Sequence, residues 1–390
     1  MGLPMTRVVV LGAGMVGAAC ARELALAGFE VAVVDRGGPA AATTAHGEGN
    51  VLVSDKPPGP ELELALLSRR LWPRILAALP DARAAEWEPK GGIVVATTGE
   101  SADALRAFAA SQRAAGVAAE DLDAAALAAA EPHLTRDCAA AVHYPGDAQV
   151  QPAGAATALL ADAVRAGAVL HCGREVTGAV ARGGRLTGVR TAEGVVGGDA
   201  FVNAAGPWSG EVAGRLGVRL AVRPRRGEVL VTAPLPPTVF HKVYDADYVG
   251  AVGADAGDLR ASAVVESTRA GTLLLGSSRR RVGFDARIRP EVLSVIAGRA
   301  LRLFPSLAGV PVMRAYGGFR PYVADHLPVI GADPRLDGLW HATGHEGAGI
   351  GLSAGTAAVL RDLMLGREPD IDAAPFRVDR PAVRSGGETG

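Results

Sequence analysis

The sequence predicts an α/β protein, a parallel sheet wound with helices beside a second unit of antiparallel strands. Three observations predict it. A strand, a glycine turn, a helix and a second strand follow one another within the first 36 residues. A second strand, glycine-rich turn and helix stand near the other end, in LWHATGHEGAGIGLSAGTAAVL, residues 339 to 360. Between them, alternating stretches such as AVVESTRAGTLLLGSS, residues 263 to 278, read as antiparallel strands turning at Ala270-Gly271.

The chain has 390 residues, 49% of them hydrophobic, and a formal net charge of −1. That length can bury a large core and accommodates about two to three domain-sized units. The balanced charge gives no footprint for nucleic acid, and no long basic run suggests an anionic membrane surface. No stretch reaches ~18 uninterrupted apolar residues, so no transmembrane helix is expected. The apolar run from Arg7 to Met15 is broken by glycines and lacks a small-residue cleavage site, so it reads as strand and turn, not as a secretory signal. The three cysteines, Cys20, Cys138 and Cys172, form no CxxC pair. Neither a disulfide framework nor a metal site is expected from them. They read as small apolar core residues whose reduced thiols fit a cytoplasmic protein.

RVVVLGAGMVGAACARELALAGFEVAVVDR, residues 7 to 36, is the most informative segment. Val8 to Leu11 suits a buried parallel strand. Gly12, Ala13, Gly14, Met15, Val16 and Gly17 then form GxGxxG. Gly12 permits the tight turn, Gly14 lets a pyrophosphate approach the backbone, and Gly17 lets helix and strand pack closely. The helix pattern runs from Met15 to Ala27, and its N-terminus offers N–H groups and a positive dipole end to phosphate. A second strand, Glu30 to Val34, ends at Asp35, 18 residues after Gly17, followed by Arg36. A carboxylate there accepts hydrogen bonds from ribose hydroxyls and repels a 2′-phosphate, against NADP. In this order the pieces make a Rossmann-like dinucleotide site. FAD and NAD both fit this far.

Five later stretches add candidates. AATTAHGEGN, residues 41 to 50, suits a loop pressed against a cofactor and supplies Thr43, Thr44, His46, Gly47, Glu48 and Gly49. Val176 closes the strand-like LHCGREV. In VNAAGPWS, residues 202 to 209, Ala204, Ala205 and Gly206 permit close backbone approach, and Trp208 can cover the site. YGGFRPYVADHLPVIG, residues 316 to 331, contributes Gly318 and Arg320. In GHEGAGIG, His345 and Glu346 precede a turn of Gly347, Ala348, Gly349, Ile350 and Gly351, and a helix begins near Gly349. That second helix N-terminus can face an electron-rich ring.

Together these motifs resemble the FAD-dependent D-amino-acid oxidase superfamily, particularly its glycine oxidase, sarcosine oxidase and D-amino-acid dehydrogenase branch. VNAAGPWS, GGFRP, DHLPVIG and GHEGAGIG in this order carry the resemblance, which spans Val8 to about Arg380. HGEGNVLVSDKPPGPELELALLS, SSRRRVGFD and FRPYVADHLPVIG look closer still to bacterial dehydrogenases of cis-4-hydroxy-D-proline. The resemblance implies an α/β (α+β) fold woven from discontinuous segments. Residues 1–86, 145–222 and 314–375 would form a Rossmann-like FAD-binding domain. Residues 87–144 and 223–313 would form a mixed-sheet substrate (cap) domain, and 376–390 a disordered tail. The Ala-rich stretch from Glu120 to Ala130 reads as a helix.

The implied reaction is oxidation of an amine to an imine by hydride transfer to FAD, held non-covalently because no cysteine stands near the C-terminal flavin motifs. Such an enzyme needs a carboxylate anchor and a pocket favouring the neutral amine. Arg320 is the strongest anchor candidate, because a planar guanidinium holds a carboxylate bidentately; the matching arginine of glycine-oxidase-like relatives has this role. Tyr244 and Tyr248, in KVYDADYV, can add hydroxyl contacts. His46 or Glu48 can shape the amine's protonation, and Glu346 can contact the substrate nitrogen. Glycine oxidase carries a second arginine where this chain has Gly347, a departure that bears on the substrate. The resemblance also implies possible electron-accepting partners, iron–sulfur or flavoprotein subunits, since this chain lacks cysteines for a cluster. Two other readings stay open from sequence: an NAD-dependent dehydrogenase, and a non-catalytic flavin-binding subunit.

Overall fold

The structure, a computed structural model, describes residues 6–246 and 259–384. Tyr248 lies outside them. A six-stranded sheet runs in the order Val329–Ala332, Leu339–Thr343, Ala200–Asn203, Arg7–Leu11, Glu30–Val34 and Val169–His171. All its pairings are parallel except that of Val329–Ala332 with Leu339–Thr343. Val8, Val9 and Val10, central in the sheet, are fully buried, as a continuous β-branched run between helical layers demands. The strand Arg7–Leu11 has neighbours of later sequence on both sides, so the chain reverses its winding at its C-terminal end. In open parallel sheets, ligands bind at that crevice.

The helix Met15–Leu26 packs against Pro152–Arg165 and Gly349–Met364 on one face of this sheet. Gly351 belongs to that packing. Its carbonyl accepts from Ser68 Oγ at 2.6 Å and Trp72 Nε1 at 3.1 Å, both on the helix Pro60–Ala78.

An eight-stranded sheet forms the second body, in the order Val312–Tyr322, Arg223–Thr232, Leu273–Arg279, Arg260–Ser267, Lys242–Asp245, Gly92–Ala96, Ala140–Tyr144 and Glu120–Asp121. It is antiparallel except where Lys242–Asp245 pairs with Gly92–Ala96. The helix Pro290–Leu303 covers one face with Val292, Ile296, Ala300 and Leu303, a 3.6-residue stripe. Because side chains alternate along strands, the opposite face carries Arg320 and Gly318, Gly227 and Val229, Glu266, Lys242 and Tyr244. The hairpin between Arg260–Ser267 and Leu273–Arg279 turns at Gly271, whose φ of +81° suits glycine.

Several expectations need correction. Glu120 and Asp121 form a strand, and the helix starts only at Ala124, where the Asp123 carboxylate accepts the Ala126 N–H. Residues 376–384, expected in a disordered tail, are packed: Phe376, Val378 and Val383 are buried, and Arg380 bonds Asp325. These three apolar anchors outweighed the polar composition around them. The eight-stranded sheet takes in all of Val312–Tyr322, across the expected boundary at 314. Of the cysteines only Cys20 is a core residue; Cys138 is half-buried, and Cys172 is exposed just beyond the strand Val169–His171.

Candidate active site

A cavity of about 680 Å³ opens along the C-terminal ends of the parallel strands and ends against the eight-stranded sheet. Its inner end is built by the glycine turn. Gly12 has φ +120°, and an added Cβ would stand 2.5 Å from Ala204 O, so only glycine lets the two strand ends meet. Gly17 does not line the cavity. A Cβ there would fall 2.0 Å from Gly12 O, so it serves the close approach of helix to turn. Asp35 Oδ2 accepts the Ala13 N–H at 2.7 Å and Oδ1 the Gly37 N–H at 2.7 Å, which aims the carboxylate into the crevice. Thr44 Oγ1 accepts the Met15 N–H at 2.9 Å, so a side chain already caps part of the helix N-terminus. Arg36 lies over Trp208, 4.1 Å from its ring centroid, and Trp208 stacks on Phe284. Val16, Val176, Ala204, Ala205 and Gly206 complete this end.

The middle is walled by the loop from Thr43 to Gly49. Thr43 Oγ1 donates to Phe319 O at 2.8 Å, tying the loop to the strand Val312–Tyr322. His46 Nδ1 pairs with Ala42 O at 2.8 Å, and its ring meets Tyr316 edge-on. Gly47 packs against Ile350, whose Cδ1 would stand 2.7 Å from an added Cβ. Glu48, 8% exposed, reaches across to the eight-stranded sheet.

At the sheet end, Arg320 spreads over Gly227, where an added Cβ would lie 2.1 Å from Nη1, and its Nη1 donates to Ser278 O at 2.8 Å. Gly347 stands beside it; a Cβ there would be 3.4 Å from Arg320 Nε. Glu346 sits at φ +48° at the head of the glycine turn. Its Oε1 accepts from Arg225 Nη1, and its Oε2 lies 2.9 Å from His326 Nδ1. Burial pushes the Glu346 carboxyl up, but the His326 hydrogen bond and the charges of Arg225, Arg279 and His326 outweigh it and hold it at about 2. Its carboxylate is therefore committed to the protein, against the expected contact with a substrate nitrogen. His345, at the same turn, pairs with Thr356 Oγ1 at 2.8 Å, and burial lowers its imidazole to about 3, so it is neutral.

Most expected residues converge on this cavity, including His46, Glu48, Gly49, Gly318, Arg320, His345, Glu346, Gly347, Gly349 and Ile350. Tyr244 does not. It is fully buried behind the cavity, and its hydroxyl donates to Ser54 Oγ, which in turn bonds the buried Asp147. Ala348 and Gly351 lie outside the lining too, on the packed side of the turn and helix. Sequence reasoning missed Asn50, which lines the cavity, and Arg225, the partner of Glu346. Asn50 had a signal, a polar residue adjoining the glycine loop; Arg225 had none short of knowing the strand register.

No cysteine lines the cavity. Its glycine cradle and paired acid, with a lining that runs from the parallel strand ends to the eight-stranded sheet, fit a dinucleotide whose ring end meets that sheet.

Comparison with known proteins agrees with this geometry. A family profile described as FAD dependent oxidoreductase matches residues 7–363. The chain is 32% identical over 376 residues to a glycine oxidase of Pseudomonas aeruginosa, covering 95% of this chain and 98% of that one. It is 31% identical over 444 aligned positions to a D-amino acid dehydrogenase of Cereibacter sphaeroides, covering 97% and 98%. The crystal structure of glycine oxidase from Geobacillus kaustophilus superposes with a TM-score of 0.86 at 29% identity, over 96% of this chain and 99% of that one.

Proposed function

The chain belongs to the DAO family of FAD-dependent oxidoreductases, and on that premise we propose that it oxidises an amino acid or secondary amine to the imine. The substrate we favour is a D-amino acid such as cis-4-hydroxy-D-proline or D-proline. FAD, when bound, supplies the acceptor for the hydride leaving the carbon that bears nitrogen. The observation that carries the proposal is Arg320: a guanidinium on a rigid strand, lining the same cavity as the dinucleotide cradle and seated on a glycine.

Hydride transfer requires reacting atoms held ~3–3.5 Å apart, and a bidentate carboxylate clamp fixes both distance and angle. Gly12 and Gly14 hold the pyrophosphate, Asp35 the ribose, and the backbone from Gly347 to Ile350 the ring end. Gly347 adds no side chain beside Arg320, so the volume there is open to a substrate ring. That favours a cyclic D-amino acid over glycine, although glycine oxidases are among the relatives. Electron transfer onward to a protein partner, instead of to O₂, is the dehydrogenase form of the same proposal.

Anaerobic bleaching of the ~450 nm flavin band tests it. D-proline, cis-4-hydroxy-D-proline, D-alanine, sarcosine and glycine form the panel, and rapid bleaching by a cyclic D-amino acid is the expected result. A yellow protein that none of them bleaches would leave a non-catalytic flavin subunit as the better reading.

A further inference from the structure

Arg320 does not stand up from its own strand; its side chain lies across the next one. Between Val312–Tyr322 and Arg223–Thr232, Gly227 is the direct partner of Gly318, so the cavity face has a window there without side chains. Both halves of the window are covered from elsewhere. An added Cβ at Gly318 would stand 3.0 Å from His46 Cβ. One at Gly227 would stand 2.1 Å from Arg320 Nη1, 2.6 Å from Cζ and 2.7 Å from Nη2, so the guanidinium rests on bare backbone. A third strand, Leu273–Arg279, holds it in place: Ser278 O accepts from Nη1 at 2.8 Å, and Ser278 Oγ accepts the Glu228 N–H at 3.0 Å.

A methyl group at position 227 is incompatible with that posture. Carbon contacts settle at ~3.5–4.0 Å, so the guanidinium would have to rise by roughly 1 Å, off its line to Ser278 O. Every atom in the way is the far end of a flexible side chain, and Gly227 is not among the glycines at positive φ. Alanine therefore fits the backbone there, and what gives is the position of Arg320. Gly347 differs. A Cβ there would stand 3.4 Å from Nε and 3.5 Å from Cδ, ordinary contact that leaves the guanidinium in place.

We propose that Gly227 is a specificity-determining residue of the site: it sets the depth at which Arg320 holds a substrate carboxylate, and so the size of amino acid that fits. The proposal rests on the amine-oxidation reading above. A carboxylate gripped bidentately fixes the carbon next to it, and a ~1 Å misplacement of reacting atoms costs as much as ~100-fold in rate. How strictly a substrate feels the shift depends on its bulk. Val229, two residues along the same face, and Ile350 give the cavity apolar walls beside Arg320. A five-membered ring packed against such walls is carried with its carboxylate, whereas an amino acid with a single methyl group re-seats. Gly227 touches the anchor and not the reacting atoms, so its role is one of positioning.

The test is a double-mutant cycle on the holoenzyme: wild type, Gly227→Ala, Arg320→Ala and the double variant. Each is mixed anaerobically with D-proline and with D-alanine while the flavin band is followed. Gly227→Ala is expected to keep its FAD, to lose ~100-fold in reduction rate with D-proline and to lose no more than ~10-fold with D-alanine. In the Arg320→Ala background the added methyl meets no guanidinium, so Gly227→Ala should change either rate by no more than about twofold. The same cycle in urea gives a readout that needs no turnover: Gly227→Ala should cost more stability with Arg320 present than with Arg320→Ala. Equal losses with both amino acids, no loss with either, or the same loss in both backgrounds overturns the proposal, as does a Gly227→Ala protein that has lost its FAD. Wild-type flavin that no amine bleaches overturns the amine-oxidation reading itself; a preference for D-proline that survives Gly227→Ala overturns this inference alone.

Discussion

Arg225 donates to Glu346 from inside the eight-stranded sheet, joining it to the glycine turn of the parallel-sheet domain, with both side chains nearly excluded from solvent. Removing one member leaves an uncompensated buried charge, so Arg225→Met should destabilise the fold by about 3–5 kcal/mol. The pH dependence follows. The Glu346 carboxyl sits at about 2 in the folded protein against 4.5 ordinarily. Its contribution is therefore fully present above ~4.5 and is lost as pH falls toward ~2. Denaturant titrations across that window should show the wild type losing more stability than Glu346→Gln; parallel curves would remove the ion pair from the account.

Arg320→Ala should raise the apparent Kd of an amino acid about 100-fold with FAD content intact, the usual scale for losing one partner of a buried charge pair. Arg320→Lys should fall between, since an ammonium keeps the charge but not the bidentate geometry. An amino acid amide should lose far less than the free acid. Equal losses for the two would mean that Arg320 shapes the pocket without gripping a carboxylate.

Tyr244→Phe should cost about 1 kcal/mol of stability and leave substrate Kd unchanged, because the hydroxyl bonds Ser54 behind the cavity wall. A tenfold rise in Kd at unaltered stability would put the hydroxyl in the cavity after all.

Asp35→Ala should strip FAD from the purified protein and lower Tm, since two backbone N–H groups, of Ala13 and Gly37, lose their acceptor along with the ribose. Flavin quantified per polypeptide after gel filtration reads the effect directly. Full retention of FAD would move ribose recognition to another group.

Acid precipitation should release all of the flavin into the supernatant, because no cysteine lines the cavity. A yellow pellet, or an adduct in the intact mass, would reveal a covalent link.

The dinucleotide half of the site was legible in the sequence because its determinants are local. Gly12, Gly14, Gly17 and Asp35 act through a turn, a helix end and one neighbouring strand, and their spacing is the geometry. The sheet end was not. Tyr244 follows the alternation that places it on the cavity-facing side, yet alternation gives a face and not a depth, and Ser54 and Asp147 arrive from distant loops to cover it. Glu346 looked like an available carboxylate because Arg225 and His326, 121 and 20 residues away, reach it only through tertiary packing. Asn50 and Lys242 meet across 192 residues for the same reason. Residues 376–384 read as tail because two or three apolar anchors in a polar segment are invisible to composition.

The order of strands in the six-stranded sheet has a consequence for synthesis. Its members come from residues 7–34, 169–203 and 329–343, and the last of them feeds the glycine turn at His345 to Ile350. A ribosome emits the glycine turn at Gly12 to Gly17 first and the one at His345 to Ile350 some 330 residues later, about 20 seconds or more at ordinary elongation rates. Throughout that interval the nascent chain exposes an unfinished sheet edge and a helix, Met15–Leu26, still waiting for its partner Gly349–Met364. The cavity, lined from both turns, is thus complete only at the end of translation, and a chain cut short before that helix emerges lacks its ring-end wall.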